Sequence, residues 1–133
     1  MPCEKSITAH YTQHPVECIE ITRHLPFALG NAVKYVWRAN DKGNRLQDLQ
    51  KAIWYLQDYQ QTGSTLQQCM HRPRWNDLWE KIVECQFEPK ITKLFFNIVR
   101  SQVLSSETIH DVMIKDAINL LQNIIKTTTE SQP

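Results

Sequence analysis

The sequence has few of the residues that build phosphate loops, disulfide frameworks and membrane spans. Its three glycines are too few and too scattered to form a G-x-x-x-x-G-K-[ST] loop. The four cysteines include no C-x-x-C pair, and no charged segment followed by an apolar one opens the chain. No apolar run approaches the roughly 20 residues that cross a bilayer. We therefore expect a reduced, cytoplasmic protein without a membrane partner.

Net charge is nearly absent as well. The 15 Lys and Arg residues are balanced by 14 Asp and Glu residues, which argues against a protein that holds nucleic acid by overall electrostatics. The marked exception lies between Lys34 and Lys51, where five basic residues stand against only two acids. Local charge in this stretch, rather than total charge, is therefore the feature that indicates a ligand.

Strand patterns are missing too, because no segment alternates apolar and polar residues between hairpin turns. Apolar spacings of three and four predict an all-α fold, a small bundle of about five to six helices. The first two predicted helices are 15–24 and 26–39, and a third follows the turn at 40–44 and ends near residue 63. Two more are predicted at 74–86 and 90–102. The last helix is capped by Ser105 or Ser106 and is followed by a polar tail at 127–133. The Gly63-Ser64 pair predicts a boundary between domains 1–63 and 64–133.

The basic stretch contains a candidate phosphate site. Lys34 and Arg38 are four residues apart on a predicted helix, so both side chains project from one face and suit a phosphate group. The alternative is an ordinary solvated basic surface. Gly30 and Asn31 precede them on the same helix, where a glycine indicates close backbone approach, and we favour a helix crossing over ligand contact there.

Neighbouring residues extend this region. Asp48 and Lys51 lie three apart on the following helix and belong to a polar strip. Four aromatic residues could stack on a nucleobase or belong to the core, the second being the more common role in a small bundle: Tyr35, Trp37, Trp54 and Tyr55.

Metal sites are weakly indicated. Glu17 and Glu20 are spaced as in the E-x-x-E motif of all-α nucleotide pyrophosphohydrolases, but Lys51 stands three residues after Asp48, where the second half of that pattern needs an acid. We therefore predict no dedicated metal site and regard Mg²⁺ as the one cofactor to consider. His10, His14 and Cys18 have a zinc-like spacing that Pro15 interrupts, and we treat them as ordinary residues.

Five blocks in residues 10–59 together closely resemble the small nucleotide-kinase-like family of phage and prophage proteins, most members of which are known only as a domain of unknown function. The blocks are His10-Tyr11, Glu17-Cys18-Ile19-Glu20, Gly30 to Arg38, Lys42-Gly43 and Asp48 to Leu56. The resemblance implies a phage nucleoside monophosphate kinase without a phosphate loop. The ligand contacts that it implies are His10, Asn31, Lys34, Tyr35, Arg38, Asp48 and Lys51.

Two functions follow as hypotheses. The first is a nucleotide-binding phage enzyme acting on a phosphate-bearing small molecule, with Lys34 and Arg38 neutralising phosphates and Lys51 assisting. The second is a non-catalytic inhibitor or anti-defence protein that binds a host protein or a signalling nucleotide. A basic and aromatic cluster favours this second hypothesis, although it could be only a helix-capping corner: Arg72, Arg74, Trp75 and Trp79. We also expect a homo-oligomer, and a nucleic-acid module is the weakest option.

Overall fold

The computed structural model describes residues 15–41, 44–62, 72–103 and 106–131 of the 133-residue chain. Within these ranges it contains six helices and no strand, which confirms the predicted all-α bundle. The helices are α1 (Ile19–Thr22), α2 (Phe27–Asp41), α3 (Arg45–Thr62), α4 (Arg72–Glu84), α5 (Pro89–Ser101) and α6 (Glu107–Ser131). None of these six helices combines the length and the apolar character that crossing a lipid bilayer requires.

Polar caps fix where several helices begin. The Asn44 side chain accepts a hydrogen bond from the Gln47 N–H at 3.1 Å and so starts α3, within the turn that the sequence predicts. Ser106 caps α6 in the same way through the Ile109 N–H at 3.3 Å, which decides between the two serines considered. Pro89 stands in the first turn of α5, where its missing N–H costs nothing.

The predicted first helix, 15–24, is wrong in length, because only Ile19–Thr22 is helical. The Glu20 carboxylate accepts a hydrogen bond from the Glu17 N–H at 2.9 Å. This contact satisfies the Glu17 N–H just before the helix, whose N-cap is Cys18, so the helix starts after Pro15 rather than at it. At the other end, i to i+3 hydrogen bonds tighten the chain before Pro26, which cannot donate one.

The predicted polar tail at 127–133 is also wrong, because α6 continues to Ser131. The hydroxyls of Thr127, Thr129 and Ser131 each donate to a backbone carbonyl one turn earlier. Arg45 on α3 also donates to the Thr128 hydroxyl at 3.2 Å. The back-bonded hydroxyls satisfy themselves without interrupting the helix. The contact from Arg45 ties this end of α6 to α3.

One cluster of buried side chains joins both halves of the chain. Trp37 on α2 is buried against Phe87 and Phe95, with ring centroids 4.9 and 6.0 Å away. The most extensive helix pairings are α2 with α3, α5 with α6, and α3 with α6. The core therefore holds α2 and α3 side by side, and this pairing brings their side chains together at the surface.

A buried polar network lies where α3 packs on α6. The Tyr59 hydroxyl is 2.9 Å from Nε2 of His110, and the Gln102 amide donates to the same hydroxyl at 3.3 Å. His110 Nδ1 lies 3.2 Å from the Asp111 carboxylate, and the Gln102 amide also donates to Ser101 Oγ at 3.1 Å. The packing of α6 on α3 thus depends on directional hydrogen bonds as well as on apolar contact.

Candidate functional site

Three cations surround the ring of Tyr35. Lys34 Nζ lies 4.6 Å from the ring centroid, Lys51 Nζ 5.4 Å, and Arg38 Cζ 5.7 Å. Lys34 and Arg38 reach the ring from α2, whereas Lys51 reaches it from α3. The three charged side chains are exposed, while Tyr35 is half-buried. The pairing of α2 with α3 therefore creates a cation cluster, which we define as Lys34, Arg38 and Lys51.

No carboxylate of the described residues forms an ion pair with this cation cluster. Among the described residues, the ion pairs to carboxylates involve Arg45, Lys81 and His110, and none involves the cluster. Three like charges near one ring repel each other, and Tyr35 offers only its π-face in compensation. An anion placed among them would relieve that repulsion, and phosphate is the anion that Lys and Arg together suit best.

Asp48 stands one helical turn before Lys51 on α3. The residue is only 5% exposed, and the described part of the chain provides no hydrogen bond or ion pair to its carboxylate. Its oxygens are not among the described side-chain atoms that are both fully buried and unpartnered, so the carboxylate keeps contact with solvent and can accept from a donor or a cation brought by a ligand.

Aromatic rings extend the site along the same face. Tyr55 stacks on Tyr35 with centroids 5.9 Å apart and an interplanar angle of 10°. Phe27 and Trp54 meet Tyr55 edge-on at 6.2 and 5.1 Å. We call Phe27, Tyr35, Trp54 and Tyr55 the aromatic strip. Trp37, which could also have stacked on a ligand, is instead in the core.

Gly30 and Asn31 have different roles. A Cβ added at Gly30 would lie 3.3 Å from the Thr22 carbonyl oxygen, so the glycine permits the close approach of α1 to α2. This geometry supports the helix crossing rather than ligand contact. Asn31 Nδ2 donates to the Phe27 carbonyl at 2.9 Å, which places its amide between Phe27 and Tyr35 on α2.

The structure therefore brings most of the predicted ligand contacts to one face. Asn31, Tyr35 and the cation cluster are neighbours there, and Asp48 is buried one turn from Lys51. His10 lies outside the described residues. The sequence interpretation missed Phe27, whose position at the start of α2, one turn before Asn31, is the signal that would have placed it on this face.

Two of the four residues of the second predicted cluster, Trp75 and Trp79, lie together. Trp75 and Trp79 stack with centroids 6.3 Å apart, and both rings meet Phe96 edge-on. Arg100, which the sequence interpretation missed, places its guanidinium 5.0 Å from the Trp75 ring centroid. Arg74 is exposed, and Arg72 lies in the first turn of α4, with its side chain outside the described residues.

The E-x-x-E pair on α1 is engaged in structural contacts. Glu20 pairs with Lys81 of α4 at 3.0 Å, and its other carboxylate oxygen binds the Glu17 N–H. The backbone hydrogen bond and then Lys81 hold the pKa of Glu20 below its ordinary value, against the effect of burial. The hydrogen bond from Lys81 to Glu20 also raises the pKa of Lys81 above its ordinary value. Glu20 therefore ties α1 to α4.

Comparison with known protein families gives a match within the first half of the chain. Residues 5–57 match the model of a family described as proteins of unknown function, DUF3310. This segment contains α1, α2 and most of α3, and with them the cation cluster and the aromatic strip. The match confirms a resemblance to a family of unknown function over this region, and its description assigns no activity. No curated protein and no solved structure matches the chain.

Proposed function

We propose that this protein is a phage-encoded nucleotide-binding protein, and that it acts as a nucleoside monophosphate kinase without a phosphate loop. The observation that supports the proposal is the cation cluster, three exposed charges around Tyr35 with no ion pair to a described carboxylate. A phosphate-bearing small molecule supplies the missing negative charge. The aromatic strip beside the cluster favours a nucleotide over a simple phosphate.

Phosphoryl transfer needs little covalent participation from the protein. Positioning of two phosphates and stabilisation of the charge that develops between them account for most of the rate. Lys34 and Arg38 would neutralise phosphate oxygens from α2, and Lys51 would do so from α3. Asp48 would orient Lys51 or hold a Mg²⁺ that arrives with the nucleotide.

Calorimetry provides the first test of this proposal. Purified protein is titrated with nucleoside mono-, di- and triphosphates, and each experiment is repeated with Lys34→Ala and with Lys126→Ala, an exposed lysine of α6 that serves as a matched control. We expect Lys34→Ala to weaken binding about five- to 100-fold, as loss of a charge-assisted contact does, and the control to bind as wild type does.

Phosphoryl transfer is then assayed with the same three proteins. Transfer that falls in Lys34→Ala but not in the control supports the kinase. Binding without transfer would leave a non-catalytic nucleotide-binding protein. Absence of binding to every nucleotide would refute the proposal.

The second candidate function is a phage inhibitor or anti-defence protein that binds a host protein. The observation that favours it is the half-buried Trp75, Trp79 and Phe96 cluster with Arg100 over one ring, because Trp and Arg dominate the affinity of many interfaces. Chemical crosslinking in host extract tests it, with Trp79→Ala as the variant. A crosslinked host protein that Trp79→Ala loses would support this function, and one that it retains would refute a role for the cluster.

A homo-oligomer is part of the same proposal. Light scattering on the eluted protein measures the mass directly, and a mass equal to the 15.7 kDa chain would contradict the oligomer.

A further inference from the structure

We infer that Phe27 is the base-stacking residue of this site, with Tyr55 and Asn31 completing a base subsite. This inference rests on the proposed function, because it assumes that a phosphate lies on the cation cluster. It adds the orientation of the ligand: the phosphate end at Tyr35 and the base end at the start of α2.

Solvent exposure supports this assignment. Phe27 is 78% exposed and Trp54 is 60% exposed, and both are in contact with the single ring of Tyr55. Large apolar side chains that share one surface patch favour burial against a flat apolar partner, and every nucleobase offers such a surface. The patch is continuous with the cation cluster, so one ligand with an apolar and an anionic end can cover both.

Helix geometry sets the distance between the two ends. Phe27, Asn31 and Tyr35 follow one another at intervals of four residues and therefore lie on one face of α2. The eight residues from Phe27 to Tyr35 rise about 12 Å along the helix axis. That is comparable to the length of a nucleoside monophosphate, and Tyr55 contacts the aromatic rings at both ends of this interval.

Asn31 supplies a polar group at the centre of the subsite. Its Nδ2 atom donates to the Phe27 carbonyl, and its Oδ1 atom accepts no hydrogen bond from the described residues. That oxygen therefore accepts from an N–H group on the edge of a base stacked beside it. The same hydrogen bond holds the Asn31 side chain toward Phe27.

The test compares a ligand that has a base with one that lacks it. AMP, GMP, CMP and UMP are titrated beside ribose 5-phosphate, which keeps the sugar and the phosphate. The proteins are wild type, Phe27→Ala, Phe27→Trp, Lys34→Ala and, as a control, Ile109→Ala, which removes another exposed apolar side chain, 50% exposed, from α6.

We expect Phe27→Ala to weaken the tightest-binding nucleotide about five- to 100-fold, which is the range for loss of one base-stacking contact. Phe27→Trp restores the affinity because it keeps a flat ring. Ribose 5-phosphate binds wild type and Phe27→Ala equally and more weakly than the nucleotide. Ile109→Ala behaves as wild type.

Two results would overturn the base subsite while leaving the proposed function intact. One is a nucleotide affinity that falls in Lys34→Ala but not in Phe27→Ala. The other is an equal loss of affinity for the nucleotide and for ribose 5-phosphate in Phe27→Ala, which would mean that the substitution disturbs the fold. Failure of wild type to bind any of the five compounds would refute the proposed function itself.

Discussion

The Tyr59→Phe substitution tests the buried polar network between α3 and α6. It removes one hydroxyl and leaves the ring in place, so the change in stability reports on hydrogen bonding rather than on packing. Tyr59 is 4% exposed and His110 is 0% exposed, which means that water cannot replace the lost partner.

The donors and acceptors of this network determine how much stability Tyr59→Phe removes. The Asp111 carboxylate can only accept, so in the neutral imidazole Nδ1 of His110 carries the proton and Nε2 accepts from the Tyr59 hydroxyl. Tyr59→Phe therefore leaves Nε2 buried without a donor, whereas the Gln102 amide keeps Ser101 as an acceptor. One unsatisfied buried acceptor lowers the free energy of unfolding by about 1–3 kcal/mol.

Urea unfolding at neutral pH measures this loss. The matched control is Tyr55→Phe, because the described residues make no hydrogen bond to the hydroxyl of half-buried Tyr55, and we expect it to change stability by less than about 0.5 kcal/mol. A double-mutant cycle of Tyr59→Phe with His110→Leu gives the coupling, which we expect at about 0.5–3 kcal/mol. Equal, small effects of the two Tyr→Phe substitutions, or a coupling near zero, would refute the network's contribution.

Alkaline pH provides an independent check on the same residue. Burial, and to a lesser degree the negative charge of Asp111, raises the pKa of Tyr59 above its ordinary value of 10.0, although the hydrogen bond from Gln102 opposes this. The unfolded chain thus loses the proton first, and the stability tied to neutral Tyr59 is complete below pH 10.0 and is lost as the pH rises through the folded-state pKa. We expect the stability difference between wild type and Tyr59→Phe to shrink above pH 10.0. A difference that stays constant to pH 11 would contradict the burial of the hydroxyl.

Three further predictions concern the helix ends and the α1 contacts. Gln86, just after α4, has a φ of 56°, a left-handed conformation that glycine adopts without the strain a side chain causes. Gln86→Gly should therefore raise the free energy of unfolding by about 0.5–1 kcal/mol. A lower melting temperature in thermal unfolding would contradict this. Gly30→Val should lower the free energy of unfolding by about 1–3 kcal/mol, because the valine Cβ would press against the Thr22 carbonyl of α1. An unchanged stability would contradict the close crossing of α1 and α2. The Glu17 N–H and then Lys81 hold the pKa of Glu20 low, so wild type should exceed Glu20→Gln in stability at pH 7. This advantage should vanish as the pH falls below 4.5, and a pH-independent difference in urea unfolding would argue against the ion pair.

The sequence alone located most of the helices and one side of the candidate site. Apolar residues at spacings of three and four follow from the geometry of a single helix, which is why α2, α3 and α5 lie close to where they were predicted. Lys34 and Arg38 were paired correctly for the same reason, because residues four apart share a face whatever else the chain does. The two wrong predictions, the length of α1 and the tail after Thr127, concern helix ends, where contacts of single side chains matter more than apolar spacing.

Only the tertiary structure decided which aromatic residues border the cation cluster and which belong to the core. Tyr35 and Trp37 stand two residues apart on α2, yet one borders the cation cluster and the other is buried against Phe87 and Phe95, because α5 covers only one side of the helix. The addition of Lys51 to the cluster likewise depends on how α2 packs against α3. A single helix determines which of its own residues share a face, but the contacts between helices determine what that face meets.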